Sequence, residues 1–132
     1  MPNLTADQHA EASRRAHAAA DRLMTGQDPW FVVPRFYAAL HHIMRDLKQR
    51  TDLPDEEMRN PETHGSRWDN GRRTAWGMTD VVTACYDRSV SQAYSQLLSA
   101  SHTARYAGPV PWGDAQRFER HWERLRHELP AG

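Results

Sequence analysis

The residues of this chain with the widest chemical range are its histidines, of which there are eight among 132 residues. Histidine can bind a metal ion or exchange a proton near neutral pH, so both functions have to be weighed. None of the strong zinc patterns occurs, because the sequence contains no CxxC, no HExxH and no Cys–His pair at zinc-finger spacing. The adjacent His41 and His42 point about 100° apart on a helix and do not readily share one ion. We therefore expect neither a metal nor a cofactor.

Two histidines fall on or beside the apolar stripes of predicted long helices. Each is either a hydrogen-bonded core histidine or part of a polar pocket. The stretch 99–106 concentrates small hydroxyl groups together with His, Arg and Tyr. Polar groups at such a place need partners, and a phosphate or carboxylate of a ligand is one such partner. The predicted ligand-binding residues are Tyr37, His41, His102, Arg105 and Tyr106.

The cysteine and the glycines predict no disulfide, no cysteine nucleophile and no phosphate-binding loop. Cys85 is the single cysteine, so no intramolecular disulfide can form within the chain. Its apolar neighbours predict a small buried residue and not a nucleophile. The seven glycines form neither GxGxxG nor GxxxxGK, so no phosphate-binding loop is predicted.

Composition favours one soluble domain spanning 1–132. Lys and Arg number seventeen against seventeen Asp and Glu, and the pI is near 7.1, which removes the argument for nucleic-acid binding from a strongly basic surface. No run of eighteen apolar residues exists, so no membrane span is predicted. The first fifteen residues lack the apolar region of a signal peptide, and we expect a cytoplasmic protein. The aromatic content argues against disorder despite a mean hydropathy of -0.86.

Two helices are predicted in the first half of the chain. The first spans 5–24 and begins with a capping box, in which Thr5 is the N-cap and Gln8 lies three residues on. The second spans 28–50, with apolar residues at helical spacing throughout. Pro34 falls inside it, and either kinks the helix there or marks its true start.

Two further helices are predicted in the second half. The third spans 79–105, with Thr79 as its N-cap, and ends before a segment rich in Gly and Pro. The fourth is capped by Gly113 and Asp114, and carries one apolar stripe opposite a face of mixed charges.

These elements predict an all-α fold, a four-helix bundle with a long irregular segment between helices two and three. The segment 51–78 has no clear periodicity, although a short helix near 55–59 is plausible. Strand signals are nearly absent. Asn70 and Gly71 form a hairpin-type dipeptide, but their neighbours are charged or aromatic and do not alternate. A loop of this length is uncommon in a compact domain and indicates a function for the segment, or a surface that packs against the bundle or a second subunit.

Three pieces of the sequence carry a resemblance to a known family. They are FYAALH at 36–41, ARY at 104–106 and the final amphipathic helix. In the order of its elements the chain resembles the HEPN helical domains, which occur in bacterial toxins, antitoxin partners and nucleotidyltransferase-associated proteins. The resemblance implies a bundle that usually dimerises and, in active members, a metal-independent ribonuclease. Active members carry Arg, then four to six residues, then His, often with Asn directly after the Arg.

The sequence contains one motif that satisfies both parts of this pattern, in Arg59, Asn60 and His64. The resemblance therefore implies Arg59 and His64 as catalytic residues. Pro61 departs from the family pattern, in which these residues lie on a helix, because proline disfavours a helical path through the residue before it. Spacings of this kind also arise by chance in a chain so rich in Arg and His.

If the motif is active, the 2′-hydroxyl of RNA attacks the neighbouring phosphate. His64 would move a proton and Arg59 would stabilise the charge that develops on the phosphate. Nearby arginines would contact the RNA backbone, and Trp68 or Trp76 would stack on an unpaired base. The predicted nucleic-acid-binding residues are Arg67, Trp68, Arg72 and Arg73.

Three functions remain open on the sequence alone. Neutral charge and the aromatic-rich irregular segment favour a helical interaction module, either homodimeric or bound to a protein partner. The first alternative is a HEPN-type ribonuclease or toxin that acts on RNA. The second is a protein that binds a small molecule in a pocket within the bundle.

Overall fold

A computed structural model describes residues 4–61 and 63–129 of the chain. The structure is mostly helical, at 70%, with one small two-stranded sheet, so the all-α prediction holds in its broad form. The helices are α1 (Ala6–Thr25), α2 (Val32–Gln49), α3 (Met78–Cys85), α4 (Arg88–Tyr106), α5 (Trp112–Gln116) and α6 (Phe118–Glu128). The strands are β1 (Arg67–Asp69) and β2 (Arg72–Ala75), and two short 3-10 turns cover Pro29–Phe31 and Glu56–Arg59. No helix in the described ranges is long and apolar enough to cross a membrane.

Local signals place the first two helices close to their predicted bounds. Thr5 caps α1, and its hydroxyl accepts from the backbone of Gln8 while the Gln8 side chain accepts from the backbone of Thr5, which confirms the predicted capping box. The 3-10 turn at 29–31 leads directly into α2. Pro34 lies in the first turn of α2, where a backbone N–H has no partner within the helix, so it lies at the helix start.

The predicted third helix is wrong as one continuous element, because it is broken at Tyr86. Tyr86 has an extended backbone, and the Asp87 carboxylate accepts from the backbone N–H of Val90 to cap a new helix. The first part, α3, begins at Met78 and has Gly77 and not Thr79 at its N-cap. The apolar spacing continues past this point, but the N-cap at Asp87 starts a new helix there.

The predicted fourth helix is also divided. A short helix, α5, begins at Trp112 after Pro111, two residues before the expected Asp114 cap. Its end at Gln116 is separated from α6 by Arg117, whose backbone is still helical. The two pieces therefore follow one another almost without a gap.

The irregular segment contains a β-hairpin that the sequence interpretation did not predict. β1 and β2 pair antiparallel across Asn70 and Gly71. Both turn residues have positive φ, 49° and 76°, which is the geometry that favours the Asn-Gly dipeptide in a two-residue hairpin turn. The strands have no buried face, so they lack the apolar alternation that normally signals a strand. The short helix expected near 55–59 is present as a 3-10 turn with Asp55 at its N-cap.

The core lies where the long helices meet. Helix α2 packs against α1 and α4, and α4 packs against α6. The centre of the core consists of side chains with no exposed surface, including those of Phe36, Ile43, Leu97 and Leu125. Burial of this apolar surface is the main source of stability.

One charged side chain lies inside this core. Arg35 in α2 is only 1% exposed. Its guanidinium donates to Asp21 Oδ1 at 2.8 Å and to Glu119 Oε1, and lies 5.6 Å from the ring of Trp122. His17 Nδ1 lies 2.6 Å from the Arg35 Nη1 atom. The buried charge is thus fully partnered, as a buried ion must be.

Candidate functional site

A pocket of about 390 Å³ lies between α4 and the loop that precedes β1. Its lining combines one arginine, two imidazoles and three hydroxyl groups with a single leucine. The lining residues are His64, Ser95, Leu98, Ser99, His102, Thr103 and Arg105. No Asp or Glu is among these lining residues, so the electrostatics of the pocket favour an anion.

Arg105 supplies the positive charge of the pocket. Its Nη1 donates to the hydroxyl of Tyr37 and its Nε donates to the carbonyl of Ser101, both at 3.3 Å. The guanidinium also lies 5.4 Å from the ring of Tyr106. Within residues 4–61 and 63–129 no carboxylate lies within ion-pair distance of Arg105. The side chain is therefore positioned by neutral groups, and no described carboxylate balances its charge.

The position of Arg105 in the last turn of α4 also suits its charge. Carbonyl groups at the end of a helix carry partial negative charge and favour a cation nearby. The Ser101 carbonyl that accepts from Arg105 lies about one turn inside the end of α4. The positive charge of Arg105 counters the partial negative charge of the terminal carbonyls, which would otherwise oppose an anion at this place.

His64 lines the pocket on its loop side. Its Nδ1 lies 3.3 Å from the hydroxyl of the fully buried Tyr94, and its ring centroid is 5.7 Å from that of Phe36. Partial burial against these rings lowers the pKa of His64, and the charge of Arg105 lowers it further. His64 is consequently neutral at pH 7.

A glycine contact fixes the loop that carries His64. The backbone N–H groups of Met78 and Thr79 donate to the carbonyls of Thr63 and His64, at 2.7 Å and 3.0 Å. Gly77 packs so tightly on Gly65 that a Cβ at Gly77 would lie 2.2 Å from the Gly65 carbonyl carbon. Only glycine fits at Gly77, and its close approach holds His64 at the start of α3.

The rim of the pocket is aromatic. The ring centroids of His102 and Tyr106 are 4.7 Å apart, and Tyr106 is 73% exposed. An exposed tyrosine beside an arginine and a histidine can contact a bound ligand with both its ring and its hydroxyl.

The structure brings together most residues of the predicted ligand site. His102 and Arg105 line the pocket, and Tyr37 and Tyr106 contact Arg105. His41 lies elsewhere, because its Nδ1 is 2.9 Å from Nδ1 of His9, which is only 1% exposed. Sequence reasoning left out Ser95 and the contribution of His64. The spacing of hydroxyl residues at 95, 99 and 103 along one helix face was the available signal for the first of these.

The predicted catalytic pair of Arg59 and His64 is not drawn together by the described contacts. Arg59 ends the 3-10 turn at 56–59, with its Nε 3.6 Å from Glu56 Oε2. Its charge lowers the pKa of Lys48, after the larger effect of burial, and not that of His64. The arginine beside His64 is Arg105.

The predicted nucleic-acid contacts do lie together, on the hairpin. Arg67 and Trp68 belong to β1, and Arg72 and Arg73 belong to β2. The guanidinium of Arg73 lies 4.6 Å from the ring centroid of Trp68.

The described part of the chain contains no cluster of three His, Cys, Asp or Glu side chains that could hold a metal ion. Cys85 is half-buried, its Sγ lies 3.7 Å from Met58 Sδ, and burial raises the pKa of its thiol. A raised pKa keeps the thiol protonated, and Cys85 is less buried than the sequence analysis predicted.

Comparisons with known proteins found no match: no family model, no curated protein and no solved structure is significantly similar to this chain. The HEPN resemblance, dimerisation and a protein partner therefore stay predictions, and the geometry of the pocket carries the functional argument.

Proposed function

We propose that this protein binds a phosphate-bearing anion in the pocket formed by His64, His102 and Arg105. The observation that carries the proposal is the environment of Arg105. Its guanidinium is held by Tyr37 and by a helix carbonyl, and no carboxylate neutralises it in the described part of the chain. Such an arginine is suited to charge-assisted hydrogen bonds with phosphate oxygens.

The remaining lining suits the same ligand class. The hydroxyls of Ser95, Ser99 and Thr103 can donate to oxygens of a bound anion, and the imidazoles of His64 and His102 offer further N–H groups. A volume of about 390 Å³ is at the lower end of the range typical of small-molecule sites. The pocket therefore supports a small phosphate or carboxylate group as the anchored part of the ligand.

The four-helix bundle belongs to the same proposal. We infer that α1, α2, α4 and α6 form it, supported by the packing of α1 on α2, α2 on α4 and α4 on α6. This arrangement supplies a rigid α4 on which most of the pocket is built.

Calorimetric titration with phosphate, pyrophosphate, sulfate and succinate tests the proposal. We expect the phosphate compounds to bind, and Arg105→Gln to weaken their binding by about tenfold or more, because a charge-assisted hydrogen bond contributes about 1.5–3 kcal/mol. Tyr37→Phe should weaken it by a smaller factor, since it removes one of the groups that position Arg105. Succinate carries carboxylates and no phosphate, so equal binding of succinate would indicate a general anion site and weaker binding a phosphate site.

Arg88→Gln is the matched control. Arg88 begins the same helix, is exposed and makes no ion pair in the described ranges, so the variant has the same change of charge far from the pocket. It should bind like the wild type. Absence of binding by every anion, or equal loss in both variants, would contradict the proposal.

A further inference from the structure

Three aromatic and cationic side chains form a stack on the hairpin. Arg73 lies between two tryptophans, with its guanidinium carbon 3.7 Å from the ring centroid of Trp76 and 4.6 Å from that of Trp68. These distances are those of close cation–π contacts. The stack therefore holds three planar groups in a defined order, with Trp68 on the outside.

The inner members of the stack have additional partners. The indole Nε1 of Trp76 donates to Asp55 Oδ2 at 2.9 Å, and an Nη atom of Arg73 lies 3.7 Å from Asp80 Oδ2. Trp68 is 57% exposed and packs on Arg73 alone among these groups. A large ring that is supported from behind and open to solvent in front is suited to stacking with another planar group.

The charge around Trp68 is positive. The hairpin carries the acid Asp69 and three arginines, Arg67, Arg72 and Arg73, of which Arg73 is paired with Asp80 of α3. Arg67 and Arg72 are exposed, and neither makes an ion pair with a described residue. This local excess stands out because the chain as a whole has no net charge. The excess positive charge of the hairpin complements an anionic partner at this place.

The hairpin leaves the fold directly beside the pocket. Gly65 and Gly77 touch at its base, and the carbonyl of His64 accepts from the backbone N–H of Thr79 at 3.0 Å. His64 in the pocket and Trp68 on the hairpin are thus four positions apart in the chain. One extended ligand can contact both.

We propose that the ligand is single-stranded nucleic acid, with a phosphate in the pocket at Arg105, a base stacked on Trp68, and further phosphates on Arg67 and Arg72. This inference rests on the proposed anion-binding function and names its ligand class. A planar ring with a flanking pair of arginines is matched by unpaired bases joined through phosphates. A duplex buries its base faces, so it offers nothing to Trp68 and requires a broad basic surface that this neutral chain lacks.

Fluorescence anisotropy with a labelled ten-nucleotide oligouridylate tests the inference at one fixed salt concentration. The comparison ligands are a duplex of equal length and inorganic polyphosphate, which carries charge without bases. We expect the single strand to bind about tenfold more tightly than either, and Trp68→Ala to remove about tenfold of its affinity. Trp68→Phe should retain most of the affinity because it keeps an aromatic face.

Trp30→Ala is the matched control, since Trp30 is also exposed, at 40%, but lies in the 3-10 turn at 29–31. It should bind like the wild type. Trp68 is not part of the core, so Trp68→Ala should keep the helical circular dichroism and the thermal midpoint of the wild type, which excludes unfolding as the cause of a loss.

The two proposals fail in different ways. If phosphate binding depends on Arg105 but the oligonucleotide binds no better than polyphosphate, or Trp68→Ala has no effect, the nucleic-acid inference is wrong and the anion-binding function stands. If Arg105→Gln leaves phosphate binding unchanged, the proposed function is wrong and the inference is lost with it.

Discussion

The Nε atom of Arg35 in α2 lies 2.5 Å from Oε1 of Glu119 in α6, although the two residues are 84 positions apart in the chain. The same guanidinium bonds Asp21 of α1, so one cation joins three helices. Burial raises the pKa of Glu119 in spite of Arg35. For Asp21, burial also acts to raise the pKa, but the hydrogen bond from Arg35 together with the charges of His17, Arg35 and Arg126 lowers it overall. Glu119 is the less exposed of the two carboxylates and depends more on its partner.

Arg35→Ala should lower the free energy of unfolding by about 3–5 kcal/mol, because it leaves a partly buried carboxylate without its counter-charge. Chemical denaturation monitored by circular dichroism measures this loss. Arg35→Met combined with Glu119→Leu removes both buried charges and should lose much less. Arg117→Ala breaks an exposed pair with Asp114 and should change stability by less than about 1 kcal/mol. Equal effects at Arg35 and Arg117 would refute a structural role for the buried ion.

Acid should destabilise the protein through His9. Burial, the nearby His41 and Lys48 lower the pKa of His9 from 6.5 to about 4. Between these two values the unfolded chain binds the proton and the folded chain does not, so stability falls as pH decreases through this window and is constant above it. The lowered pKa corresponds to a loss of about 3 kcal/mol from His9 when the pH drops from 7 to 4.

Denaturation of His9→Gln over the same pH range checks this prediction, because the variant lacks the titrating group and should show a weaker dependence on pH. His127→Gln, which changes an exposed histidine, should keep the wild-type dependence. An unchanged slope in His9→Gln would count against it.

Gly77→Ala should disturb both stability and the pocket. The added Cβ would overlap the backbone at Gly65, and relief of such overpacking costs about 1–3 kcal/mol. Because Gly65 follows His64, we also expect weaker anion binding. Gly113→Ala adds its methyl group to open space in α5 and should be neutral or slightly stabilising. Thermal melting and the calorimetric titration measure the two effects, and a Gly77→Ala protein that matched the wild type in both would contradict the contact.

Binding of sulfate, whose charge is constant between pH 8 and 5, should tighten as pH falls. The lowered pKa of His64 leaves it neutral at pH 7, so acid adds a positive charge beside Arg105 in a pocket that His102 also lines. We expect about a threefold or larger gain in affinity from this second charge. His64→Asn should lose part of the gain, whereas His127→Asn should keep all of it. A gain that is identical in both variants would place the titrating group elsewhere.

Short-range patterns predicted the first two helices well and the last two only in part. The capping box at Thr5 and Gln8 involves residues three apart, and the structure has it as expected. The break between α3 and α4 also has a local cause, the Asp87 cap, but an apolar stripe running past it suggested one helix. The hairpin was not predicted because both its faces are exposed and its strands therefore lack apolar alternation. The Asn-Gly dipeptide was the one local signal for it.

Long-range contacts were harder to predict. Nothing in the neighbourhood of Arg35 shows that this arginine is buried, since its partners come from helices on either side in the sequence. His64 and Tyr94 meet across 30 positions, and the sequence pattern joined His64 to Arg59 instead of Arg105. The pocket at the polar end of α4 includes residues that the sequence analysis named together, because its hydroxyl, His and Arg residues are neighbours in the chain.

Because both hairpin strands are exposed, the hairpin should tolerate amino-acid replacement better than the helical core. The residues of 67–74 are all exposed, so their replacement leaves the packing of α1, α2, α4 and α6 untouched. Substitutions in this hairpin, whether natural or engineered, can therefore alter what the surface recognises without altering whether the chain folds.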